Sequence, residues 1–98
     1  MSSRSVLTEA ELADWLVAHQ RWRVEDGRLV CEYTLAYDRA VAVLAATEAT
    51  VASLDHHPRV TLEYNRLVVE TWTHDRSALT GYDIELAAAF DGAVDASS

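Results

Sequence analysis

The sequence predicts an α+β fold: a four-stranded antiparallel sheet with three helices packed on one face, in the order α-β-β-α-β-β-α. Three observations predict it. Two threonine-headed helix starts stand near opposite ends of the chain. Two pairs of strand-like runs each double back on a tight turn. Between the pairs lies one long stripe of helical period. The 98 residues, 50% hydrophobic and 24% charged, fit one domain over 1–98. A chain of this length buries a core without needing a disulfide or a structural metal.

The first helix opens at Leu7-Thr8-Glu9-Ala10-Glu11-Leu12. Thr8 can accept from the third helical N–H while Glu11 reaches back, and Leu7 can staple onto Leu12. Leu12, Trp15 and Leu16 then share one face, which carries the helix over residues 8–19. Two runs around Asp26-Gly27 form the first hairpin, because that dipeptide supplies the positive φ of a tight turn. In its second strand Leu29, Cys31, Tyr33 and Leu35 face one way and Val30, Glu32 and Thr34 the other. From Tyr37 the period changes. Ala40, Leu44, Thr47, Val51 and Leu54 are spaced 4, 3, 4, 3 along a helix over 37–55, which Pro58 must end.

The second hairpin pairs residues 60–64 with 67–73 and turns at Asn65-Arg66. Val60, Leu62 and Tyr64 then share a face with Leu67, Val69 and Thr71. The third helix starts with a Thr80/Asp83 box and a Leu79–Ile84 staple and continues through Ala87, Ala88 and Phe90. The tail at 95–98 is expected to fray.

Composition narrows the function. Eight basic residues against sixteen acidic ones give a net charge of −8, the wrong balance for a protein that grips phosphate backbones. No apolar run approaches the roughly 20 residues of a membrane span, and Met1-Ser-Ser-Arg-Ser5 lacks a signal peptide's apolar stretch. A cytoplasmic location is expected, without nucleic-acid or membrane partners. The one cysteine, Cys31, excludes an internal disulfide and faces inward, where it packs rather than reacts. There is no glycine-rich phosphate loop, Gly-x-Ser-x-Gly elbow or Cys-x-x-Cys pair, so no cofactor is expected.

The chemistry available is histidine chemistry. His19 closes the first helix, where imidazoles commonly bind free carbonyls. His56-His57-Pro58 ends the long helix, whose dipole favours positive charge there. Thr73-His74-Asp75 ends the last strand, with His74 on the sheet face opposite Val60, Leu62, Val69 and Thr71. Three imidazoles with Asp83 raise the question of zinc. Neighbouring helical residues project about 100° apart, whereas metal sites use spaced pairs such as i and i+4. Proline also forces His57 out of helical geometry, so no metal site is expected.

Taken together, these motifs resemble the pterin-4a-carbinolamine dehydratases. The likeness rests on Asp55-His56-His57-Pro58, Tyr64-Asn65 in a hairpin, Thr73-His74, and an aspartate nine residues on at Asp83. It extends from Leu7-Thr8 through Trp22 and Tyr33 to Asp83-Ile-Glu-Leu-Ala87. The family's fold agrees with the order read from periodicity. The resemblance implies loss of water from a 4a-hydroxytetrahydropterin, giving the quinonoid dihydropterin and so recycling the cofactor of aromatic amino-acid hydroxylases. Neither a metal nor a redox cofactor takes part, and histidine is the natural acid/base near neutrality.

By the same resemblance His56 and His74 do the acid/base work, while His57 and Pro58 shape the substrate site. Asp83, Trp22 and Thr73 join them as substrate-binding candidates. Asp83 is also explained by its capping box, and Trp22 by core packing. The chain departs from the family at Ala52, usually glutamate, at Val60, commonly aromatic, and at Ala78, usually glycine. A homodimer or homotetramer is expected. The alternative reading is a non-catalytic paralogue serving as an oligomeric assembly or regulatory binding module.

Overall fold

The computed structural model describes residues 5–97; the leader reading at residues 1–4 and the fraying of Ser98 lie outside them. Both capping boxes form. Thr8 Oγ1 accepts from Glu11 N at 3.0 Å and Glu11 Oε1 accepts from Thr8 N at 2.8 Å, starting α1 (Glu9–Ala18). His19 closes that helix, its Nδ1 2.7 Å from the Trp15 carbonyl and its ring stacked on Trp15. Strands β1 (Trp22–Glu25) and β2 (Arg28–Thr34) turn on Asp26 and Gly27, both at positive φ. Helix α2 (Tyr37–Leu54), strands β3 (Arg59–Glu63) and β4 (Arg66–Thr71), and helix α3 (Gly81–Ala96) complete the expected order.

The sheet runs β1-β2-β4-β3, antiparallel throughout. Its central pair sets Cys31 opposite Val69 and Tyr33 opposite Leu67. Leu29, Cys31, Tyr33, Leu67 and Val69 face inward and are buried against Ala40 and Val43 of α2 and Leu86, Ala87, Phe90 and Val94 of α3. Leu12, Trp15 and Leu16 of α1 pack on the same core. One face of the sheet therefore carries all three helices. The other carries ion pairs, Arg66–Glu32 and Arg28–Glu70 among them.

Three details depart from the expected pattern. The second hairpin turns at Tyr64-Asn65, not Asn65-Arg66, pairing Leu62 with Leu67 and Val60 with Val69. Each partner moves by two residues, so the facing is preserved. Tyr64 leaves the sheet, with positive φ and 88% of its surface exposed. Helix α2 stops before the proline acts, because Asp55 adopts the left-handed conformation and reverses the chain. The carboxyl-terminal residues do not fray as far as Ser97: α3 continues to Ala96, and Ser97 Oγ donates to Val94 O and accepts from Arg39 Nη2.

Candidate active site

The reversal at Asp55 sets the site. Four residues, Asp55 to Pro58, separate the end of α2 from β3, and they leave the helix axis at once. His56 keeps a backbone bond to Val51 O, and its ring enters the space between β4 and the start of α3. Thr71 and Thr73, two residues apart, both face that space; Thr73 is held by a short bridge to Ala78. From the third side comes Asp83, fixed at the third position of its helix by the capping box with Thr80.

Asp83 is fully buried, and its two oxygens are shared among four donors. Oδ1 receives His56 Nε2 at 2.7 Å and Thr71 Oγ1 at 2.6 Å. Oδ2 receives Thr73 Oγ1 and Thr80 N, each at 2.9 Å. A carboxylate only accepts, so His56 carries its proton on Nε2, which also points at Thr71 Oγ1 3.1 Å away. Thr73 spends its single proton on Asp83 and accepts from Thr80 Oγ1 at 2.8 Å. Nδ1 of His56 has no hydrogen-bond partner among the described residues. It is not a sealed atom either, since Arg39 Nε is the one buried, unpartnered side-chain nitrogen or oxygen among them. His56 lines the cleft, and its Nδ1 takes no part in the Asp83 network.

That cleft has a volume of about 380 Å³ and is lined by Asp55, His56, His57, Thr73, His74 and Asp75. His57 and His74 are exposed, and neither imidazole hydrogen-bonds among the described residues. His74 stacks on Trp72, with ring centroids 4.4 Å apart. Tyr82 meets His56 edge-on. The arrangement offers one imidazole oriented by a buried carboxylate and two more facing the same open space. Such a set can move protons to and from a molecule held between them.

Of the seven expected site residues, the structure brings His56, His57, Thr73 and His74 to the cleft wall. Asp83 is corrected from a substrate contact to an anchor, since it has no exposed surface and its acceptors are occupied. Trp22 is corrected to a core residue. It is buried at the start of β1, and its Nε1–H donates to Asp91 of α3, away from the cleft. Half-buried Pro58 stands next to the cleft residues without lining it. Thr71 was missed, although a polar residue closing the inward row Leu67, Val69 was a usable signal. Asp55 and Asp75, each next to a histidine in the sequence, also line the cleft. Among the described residues no group of three His, Cys, Asp or Glu is arranged to hold a metal ion.

The sequence profile described as Pterin 4 alpha carbinolamine dehydratase matches residues 5–93. The chain belongs to the pterin-4a-carbinolamine dehydratase family. A family relative from Metallosphaera sedula, provisionally named a pterin-4-alpha-carbinolamine dehydratase, is 36% identical over 87% of this chain and 90% of its own. Another of the same provisional name, from Chloroflexus aurantiacus, is 35% identical over 87% and 92%. In three dimensions this dehydratase-family chain is similar to the crystal structure of the transcriptional coactivator/pterin dehydratase from Brucella melitensis. The TM-score is 0.86 and the identity 27%, covering 92% of this chain and 99% of that one. The family fold is the one assembled above.

Proposed function

We propose that this chain dehydrates a 4a-hydroxytetrahydropterin to the quinonoid dihydropterin by histidine acid/base catalysis. The observation that carries the reading is the His56–Asp83 pair opening onto a cleft shared with His57 and His74. Hydroxide is a poor leaving group, so an imidazolium protonates the 4a oxygen as the C4a–O bond breaks and water departs. The N5 lone pair forms the N5=C4a double bond, and a neutral imidazole takes the N5 proton. One proton enters and one leaves, with no change in redox state. His56 and His74 are the acid/base pair, while His57 and Pro58 shape the space for the ring. Each positioned acid or base contributes about 10²–10⁴-fold.

The same reading makes the chain a cytoplasmic homo-oligomer that returns oxidised pterin to aromatic amino-acid hydroxylases. Its test is direct. Purified protein, with chelator present, should speed the disappearance of a 4a-hydroxytetrahydropterin well above the spontaneous rate. A progress curve indistinguishable from buffer would sink the enzymatic reading and favour an assembly or regulatory module.

A further inference from the structure

His74 poses a positioning problem. It lies in the turn after β4, exposed, with no hydrogen bond to its ring among the described residues. An exposed side chain of this kind samples several rotamers within nanoseconds. A group that must meet a particular atom cannot be left to that sampling, since a misplacement of about 1 Å can cost roughly 10²-fold in rate. Yet one contact does hold the ring: the indole of Trp72, 4.4 Å away and within 22° of parallel.

Trp72 is in turn fixed from the neighbouring strand. The register that pairs Leu29 with Thr71 brings Arg28 across from Trp72, and the guanidinium lies 4.2 Å from the indole centroid. Arg28 is itself tied to Glu70, two residues before Trp72 on the same face. A cation over an indole face is the strongest of the aromatic–cation pairings. Arg28 and Glu70 lie on the outer side of the sheet, while half-buried Trp72, just past the end of β4, also packs against the core and immediately precedes Thr73 and His74 of the cleft wall.

We propose that Trp72, held by Arg28, is the positioning residue that fixes the His74 imidazole at the cleft. The inference rests on the acid/base role given to His74 above. It concerns the placement of the ring, which can be read without turnover. In the unliganded protein, ring-current shielding should move the His74 ring protons upfield of ordinary histidine values in NMR spectra. Trp72→Leu should abolish that shift, and Trp72→Phe, which keeps a ring to stack on, should retain much of it. In the dehydration assay Trp72→Leu should lower kcat about tenfold or more, within the range for a misplaced group, with KM nearly unchanged. Trp72→Phe should recover most of the loss, and Arg28→Gln should fall between.

His74 resonances that are the same in wild type and Trp72→Leu would overturn the proposal. So would a lost shift with undiminished kcat in a protein where His74→Ala is slow. A His74→Ala variant turning over at the wild-type rate would remove the catalytic reading of His74, and the positioning role with it. Melting curves for all variants separate a displaced ring from a weakened sheet, because only the former spares KM and is rescued by phenylalanine.

Discussion

Asp83 Oδ1 lies 2.7 Å from His56 Nε2, and the same carboxylate completes the capping box that starts α3. One side chain therefore joins the first turn of a helix, the inward face of β4 and an imidazole at the end of α2. The helix amino terminus favours a negative charge at this position, and four donors replace the water the carboxylate gives up. Folding and the placement of the proposed acid/base group are in this way the same event.

Replacing Asp83 with asparagine should separate the two. The amide keeps the shape but presents an N–H₂ where two of the four donors arrive. His56 can respond by accepting at Nε2 and moving its proton to Nδ1. We expect Asp83→Asn to lower kcat by about 10²-fold or more, as removal of an acid/base contribution does. The cost in stability should be about 1–3 kcal/mol, the range for an unsatisfied buried group. Kinetics beside denaturant titration checks both. Wild-type turnover would mean that the orientation of His56 is irrelevant to the rate.

The three cleft histidines should answer alanine substitution differently. His74 and His57 are exposed and make no hydrogen bond among the described residues, so their removal should move the melting temperature little. His74→Ala should reduce kcat about 10²-fold or more, and His57→Ala should act mainly on KM. His56→Ala is another matter. It empties a buried position and strips Asp83 of a donor, so it should cost about 1–3 kcal/mol as well as turnover. A position at a helix end would by itself make truncation of His56 cheap. The burial and the bond to Asp83 reverse that expectation.

Much of the fold was legible because local signals agreed with one another. Capping boxes, the Asp26-Gly27 turn and the spacing of Ala40, Leu44, Thr47, Val51 and Leu54 each specify structure within a few residues. The site was legible as far as its residues share a chain segment: His56 and His57, then Thr73 and His74. What was not legible depends on packing between elements. Asp83 looked equally like a cap and a substrate contact, and it took the approach of α2 and β4 to show that it is an internal anchor. Trp22 failed for the same reason, since its partner Asp91 is 69 residues away. The hairpin slipped because Tyr64 accepts a positive φ that residue type alone does not announce.

Cys31 offers a test of the core that is independent of catalysis. Burial pushes its thiol up to about 11, and burial together with the bond donated to Asp91 pushes the Tyr33 hydroxyl up as well. Both groups are neutral when protonated, so they do not disturb the fold below the ordinary thiol range. As pH rises through about 9, the unfolded chain loses its thiol proton first, and stability should drain away toward pH 11. About 3 kcal/mol of that loss belongs to the thiol, two pK units at roughly 1.4 kcal/mol each. Cys31→Ala should flatten this part of the alkaline limb. At pH 8, iodoacetamide should label Cys31 only in denaturant; rapid labelling of native protein would show the strand to be open.

The outer side of α2 carries the remaining prediction, that the chain self-associates. Val41 is 46% exposed and Tyr37 55%, one helical turn apart. Ala42, Ala45, Ala46 and Ala49 continue the exposed surface toward the carboxyl end of the helix. Small side chains let two helices approach closely, and a two-fold axis would set this surface against itself. The net charge of −8 opposes association, so apolar contact must outweigh a repulsion that salt screens. Sedimentation equilibrium should therefore return a mass that is a multiple of 10.9 kDa, with tighter association at higher ionic strength. Val41→Glu would place like charges near the axis and should shift the equilibrium toward monomer without lowering the intrinsic stability of the fold, because the position is exposed. A wild-type mass of 10.9 kDa at micromolar concentration and high salt would refute self-association. A Val41→Glu protein that stays oligomeric would instead move the interface to another surface, such as the free edge of β1 or β3.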